Sequence, residues 1–144
     1  MIRIRNFRPE DADTVAGFKR ESAKVNFPGC EFNPKLFKRL ILKSSKKCPD
    51  WVKVAEDDGK LIGYIWFKVI ESTVGVFGRM EHLFVDERYR KRGVGRMLME
   101  SGEEYFRRHG IKKVKLTVTR GNKAVSLYEK MGYEVKRFKM EKDL

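Results

Sequence analysis

A mixed α/β fold, a mostly antiparallel sheet flanked by helices, is what this sequence predicts, and three observations carry the prediction. Apolar residues recur with period 2 in some stretches and period 3.6 in others, so strands and amphipathic helices both occur. Turn residues between the middle apolar runs mark hairpins, which make antiparallel neighbours. The second half then alternates strand, helix, strand and helix, which adds parallel pairing to the same sheet. The chain has 144 residues with no repeat or linker, and it reads as one domain over 1–144.

The elements follow in order. Ile2 and Ile4 alternate with Arg3 and Arg5, an opening strand with one buried face. Pro9, with Glu10, Asp11 and Asp13, marks a helix start, where fixed φ and negative charge both help. Val15, Phe18 and Ser22 share a face of that helix, which runs to about Val25 before Phe27-Pro28-Gly29 breaks it. Asn33-Pro34 opens a second helix carrying Leu36, Phe37, Leu40 and Ile41 at helical spacing. Trp51–Ala55 reads as a strand, Asp57-Asp58-Gly59-Lys60 as a hairpin turn and Leu61–Ile70 as a long strand. A turn around Gly75 and Gly78 leads into a strand over Arg79–Val85. Arg96–His109 is a helix closed by cations, His109 among them, and by Gly110. Val114–Thr119 is a strand, Lys123–Met131 a helix, and Tyr133–Met140 a last strand or strand pair.

Composition narrows the function. Lys and Arg number 33 against 20 Asp and Glu, a formal net charge of +13, which points to anionic partners such as nucleic acid, an acidic surface or a phosphate-rich small molecule. No apolar run approaches the ~18–20 residues of a membrane span, and MIRIRNFRPED lacks the apolar core of a secretory signal. A cytoplasmic setting follows, with Cys30 and Cys48 as reduced thiols, too few for a disulfide framework or a zinc cage. No metal-ligand spacing occurs, so no metal is expected. Glutamine is absent and asparagine scarce among many Lys, Arg and Glu, the bias of proteins from very hot environments. That thermophilic reading is a hypothesis, and a melting temperature within the ~45–65 °C range of mesophile domains counts against it.

The stretch from Leu83 to Arg96 carries the most chemistry. It runs from a strand through a basic loop with two glycines into the first turn of a long helix. Free amides and the macrodipole at a helix N-terminus attract anions, and Arg88, Arg90, Lys91, Arg92 and Arg96 add charge around the turn. Gly93 and Gly95 are expected to allow positive φ and close phosphate approach. Neither the P-loop pattern nor a complete dinucleotide fingerprint is present, because Arg96-Met97-Leu98 follows Gly93-Val94-Gly95 with no third glycine.

Arg90-Lys91-Arg92-Gly93-Val94-Gly95, directly after a strand ending Leu83-Phe84-Val85-Asp86, resembles the Gln/Arg-x-x-Gly-x-Gly/Ala acetyl-CoA loop of the GNAT acetyltransferases. Ala124-Val125-Ser126-Leu127-Tyr128-Glu129-Lys130-Met131-Gly132-Tyr133 is similar to a segment on the family's last helix, and the opening Ile-Arg-x-Phe-Arg-Pro-Glu-Asp looks like its first strand and helix start. The resemblance implies a GNAT-like sheet splayed between the strand ending near Val85 and the one starting near Val114. It implies transfer of an acetyl group from acetyl-CoA, as cosubstrate, to a primary amine in a ternary complex. It also implies that Leu83, Phe84 and Val85 meet pantetheine through their backbones, while Arg90, Lys91, Arg92, Gly93, Val94, Gly95 and Arg96 hold the pyrophosphate. Dimers are common among members, so a homodimer is open.

The chemistry assigns further roles. An alkylammonium with a pKa near ~10 needs a base, and a departing thiolate is helped by a proton donor. Tyr128 matches the family's general acid by position; its competing explanation is a core tyrosine beside Ala124, Val125 and Met131. Glu81 is the expected base, directly or through a water, on the strand face of Leu83; an ordinary salt bridge is the competing explanation. His82 points to the opposite face if the strand is regular, and a bulge reverses that. An amide near Leu83 or Phe84 supplies the oxyanion donor. Many members carry Asn seven residues before the tyrosine; here Gly121 holds that place and Asn122 follows, as a substitute ligand or as a helix cap. A different class stays open, a non-catalytic CoA- or nucleic-acid-binding module using Arg88–Arg96, although it leaves the Tyr128 segment unexplained. The acceptor amine is unassigned.

Overall fold

The computed structural model describes residues 1–144, in the order β1 (Ile2–Asn6), α1 (Ala12–Asn26), α2 (Pro34–Lys47), β2 (Val52–Asp57), β3 (Lys60–Ser72), β4 (Gly75–Val85), α3 (Val94–Arg108), β5 (Val114–Leu116) and α4 (Val125–Lys130). The strands form one sheet in sequence order. β1 to β4 are antiparallel, and β5 joins β4 in parallel, giving the mixed sheet read from the pattern. No helix is long and apolar enough to cross a membrane.

Helices cover both faces because both faces of the central strands are apolar. On one side Val15 and Phe18 of α1 and Phe37 and Ile41 of α2 pack against Val52, Val54, Tyr64, Trp66 and Phe84. On the other, Leu98, Met99, Tyr105 and Phe106 of α3 pack on Ala55, Ile62, Ile65, Phe67 and Met80. Each such side chain contributes about 1.5–3 kcal/mol when fully buried. Asn33 caps α2 by accepting from the Leu36 amide at 3.0 Å. The start of α1 is fixed electrostatically, since half-buried Arg5 bonds Asp11 at 2.9 Å and Glu56 at 2.9 Å. Burial pushes the Asp11 carboxyl up, but the Arg5 guanidinium and the Arg8 amide outweigh it and hold it below the ordinary carboxylate range.

Several elements differ from their expected bounds. β4 begins at Gly75, and Gly78 lies within it under the Phe106 ring, where an added Cβ would come within 2.6 Å. Trp51 belongs to a 3-10 turn, so β2 starts at Val52. β5 ends at Leu116 because its pairing with β4 stops there. Residues Tyr133–Met140 form no strand. Val135 and Phe138 have opposite parity across Lys136-Arg137, so no single face collects the apolar side chains, and Val135, Phe138 and Met140 stay exposed.

Candidate active site

After Val85 the chain turns through Asp86 to Gly93 into α3. The Asp86 carboxylate closes the turn by accepting from the Arg88 amide at 3.0 Å. Lys91 (φ 63°) and Gly93 (φ 80°) both adopt the left-handed conformation, which curls successive amides toward one concavity. A non-glycine residue there bears about 1–2 kcal/mol of strain, and such strain collects at ligand sites. Met97 N, on Gly93 O at 3.0 Å, makes the first hydrogen bond of α3, and the amides of Lys91 to Arg96 have no acceptor in the protein. They lie in an exposed basic loop and the first turn at the positive end of a long helix, an arrangement that favours negative charge.

The two glycines of the loop do different jobs. Only Gly93 has positive φ. Gly95 is helical, which corrects the expectation, and its smallness serves packing: a Cβ there would lie 3.2 Å from Leu127 Cδ2 and 3.7 Å from Val85 Cγ2. The loop, the end of β4 and α4 therefore meet at one point. Arg90 donates to Val85 O at 3.0 Å and lies 5.7 Å from the Phe84 ring centroid. Arg92 lies over Tyr89, and Arg96 pairs with Glu100 at 2.9 Å.

β4 and β5 are paired only over Gly78–Met80 and Val114–Leu116. From His82 to Val85, β4 keeps its β3 partners on one side, and from Glu81 to Val85 it has no strand on the other. Backbone groups left free in this way need partners, and an extended ligand can supply them.

The register of β3 and β4 shifts here. Phe67 pairs with Met80 and Trp66 with His82, so Glu81 is an extra residue in β4. This bulge corrects the expected facing: Glu81 does not share the face of Leu83. Its carboxylate accepts from Arg79 Nε at 2.5 Å, on the side away from Met80 and α3. His82 turns to the α1 and α2 side, where Nδ1 lies 3.1 Å from Tyr64 OH and the ring stacks 5.8 Å from Phe37. Desolvation, aided by Lys19 and Lys68, pushes His82 down to about 3, so it is neutral at ordinary pH.

Tyr128 is half-buried on α4 and packs, with Leu83, Val85 and Leu116, against the α3-side core. Burial pushes its hydroxyl up to about 12, which keeps it protonated. Beside it Tyr133 donates to Glu103 at 2.7 Å and ties the end of α4 to α3. Asn122 accepts from the Ala124 amide at 2.8 Å and donates to Asn26 Oδ1 at 2.8 Å, bridging the loop before α4 to the end of α1. The pairing of His82 with Tyr64, and the part of Asn26 in this bridge, were not read from the sequence. The first depends on the bulge and the second on a contact 96 residues apart.

Comparison with known proteins bears on the family and the fold. The sequence profile of the acetyltransferase (GNAT) family matches residues 19–133. A mycothiol acetyltransferase of Propionibacterium freudenreichii is 29% identical over 136 residues, covering 93% of this chain and 43% of the relative. An uncharacterized N-acetyltransferase of Methanocaldococcus jannaschii is 29% identical over 140 residues, covering 92% of this chain and 61% of the relative. The chain thus spans about half the length of these curated relatives. Among solved structures, a GCN5-related N-acetyltransferase from Ralstonia eutropha superposes with a TM-score of 0.83 at 22% identity, covering 100% of this chain and 99% of that one. The PaiA N-acetyltransferase from Thermoplasma acidophilum, in complex with coenzyme A, gives 0.79 at 25% identity, covering 96% and 93%.

Proposed function

The chain belongs to the acetyltransferase (GNAT) family, and from that premise we propose that it moves an acetyl group from acetyl-CoA directly to a primary amine. The observation that carries this reading is the adjacency of two unsatisfied backbone arrays, the amides of Lys91 to Arg96 and the free edge of Glu81–Val85. A pyrophosphate joined to an amide-bearing arm fits both at once. Arg90, Lys91, Arg92, Gly93, Val94, Gly95 and Arg96 hold the pyrophosphate, and Leu83, Phe84 and Val85 pair with the arm. Arg90 gives up the Val85 carbonyl when the arm arrives. Asn122 reaches the arm by exchanging its bond to Asn26.

Acetyl-CoA supplies a thioester carbonyl and a thiolate leaving group, so that one N–C bond forms as one C–S bond breaks. Glu81 accepts the proton that the ammonium loses, directly or through a water. An amide of Leu83 or Phe84 donates to the oxygen on which charge develops. Tyr128, protonated throughout the working range, donates to the sulfur as it leaves. The whole of 1–144 serves as one transferase domain on this reading.

Titration calorimetry with acetyl-CoA, beside an assay of free-thiol release, tests it. Micromolar binding and amine-dependent thiol release are expected. Salt-sensitive binding to arbitrary duplex DNA with no affinity for acetyl-CoA overturns it.

A further inference from the structure

The α1 and α2 side of the free β4 segment has an unbalanced charge. Lys19 is half-buried on α1, with its ammonium 5.5 Å from the Phe27 ring centroid. Lys68 is half-buried on β3, 5.3 Å from the Trp66 ring, which itself lies 5.0 Å from His82. Neither lysine has a carboxylate within 4.0 Å, whereas many surface cations of this chain do. Arg79, paired with Lys68 across the strands, supplies a third cation. The carboxylate beside them is Glu81, already engaged by Arg79. Glu31, in the loop after α1, is exposed and pairs with none of them, and Glu71 alternates to the other face of β3.

Unpaired, partly desolvated ammonium groups are costly, and burial lowers the Lys19 pKa accordingly. Next to them stand neutral His82 and the buried rings of Phe37 and Trp66, none of which supplies a counter-charge. We infer that the acceptor is a small primary amine bearing an anionic group, carboxylate or phosphate, which Lys19 and Lys68 neutralise while the amine lies toward Glu81. Polyamines and lysine-rich peptides bring further positive charge to these cations and are poor acceptors. The inference rests on the transferase reading above and specifies its second substrate.

The test compares matched amines in the free-thiol assay at saturating acetyl-CoA: phosphoethanolamine against ethanolamine, β-alanine against β-alaninamide, and spermidine. The first two pairs distinguish phosphate from carboxylate as the favoured anion. The anionic member of at least one pair should have kcat/KM about tenfold or more above its neutral partner, a difference of about 1.4 kcal/mol. Lys19→Met and Lys68→Met should each erode that ratio through KM, and Lys19→Arg should restore it. Preference for the neutral or polycationic amine, no turnover of any anionic amine, or a ratio untouched by both Met variants overturns the inference while acetyl-CoA binding by calorimetry stays intact. Loss of acetyl-CoA binding in the unaltered protein instead overturns the transferase reading itself.

Discussion

Replacing Gly93 by Val probes the anion site most sharply. Gly93 sits at φ 80°, and an added Cβ there meets nothing within 4 Å, so the perturbation is conformational and not a clash. A left-handed non-glycine residue costs about 1–2 kcal/mol, with β-branched residues at the upper end. In the free protein the loop escapes this strain by relaxing, since the amides of Lys91 to Arg96 hold no partner that would be lost. Binding must reimpose the strained conformation, so acetyl-CoA affinity should fall about 5–30-fold, the equivalent of that energy. Gly93→Asn, which tolerates left-handed φ, should retain most of the affinity. Gly59→Val in the β2–β3 hairpin, with φ 85° and equally open space, should lower stability by a comparable amount and leave affinity alone. Calorimetry at fixed ionic strength reads all three. If Gly93→Val binds acetyl-CoA within about twofold of the unaltered protein, the curled amides are not the pyrophosphate site.

Further outcomes follow from the site and the core. Tyr128→Phe should lower kcat by about 10²–10⁴-fold with the dissociation constant for acetyl-CoA preserved, and unchanged turnover removes Tyr128 from the mechanism. His82 binds its proton in the unfolded chain near its ordinary pKa but in the folded chain only near about 3, so stability present at neutral pH declines as pH falls below about 6.5. The slope approaches ~1.4 kcal/mol per pH unit, and Asp11, held low by Arg5, adds a loss at more acid pH. Urea unfolding at about pH 7 and pH 5 measures this; His82→Gln should flatten the slope, and an equal slope in the variant refutes the assignment. Gly78→Ala drives a Cβ to within 2.6 Å of the Phe106 ring and should destabilise by about 1–3 kcal/mol in the same assay. Undiminished stability there shows that the ring has room to retreat.

Local signals carried most of the fold. Asn33-Pro34, Asp58-Gly59 and the cations before Gly110 act within a few residues of where they sit, so α2, the first hairpin and the end of α3 were legible. The glycine turn ahead of α3 was legible for the same reason, and Gly93 takes the positive φ assigned to it. What escaped depends on pairing partners distant in sequence. Gly78 reads as a turn residue until Phe106 of α3 is placed over it. Gly95 reads as a second left-handed residue until Leu127 is brought against it. The facing of Glu81 depends on the β3 register, since alternation within β4 alone assigns it to the face of Leu83, while His82 lies opposite Leu83 as that alternation gives. The terminal segment failed in the other direction: its β-forming residues are present, but their parity changes at Lys136-Arg137.

The extra residue in β4 separates two parities that are each locked in place. Below it, Met80 is fixed under Gly102 and Phe67; above it, Val85 is fixed against Gly95. The kink therefore cannot slide along the strand without breaking one of its two contacts with α3. Position 81 answers to neither lock, so its side chain can be exchanged while the scaffold stays whole, whereas His82 is held by Tyr64 and Phe37. The extra residue thus gives the strand one position, 81, that can vary without a rebuilt core.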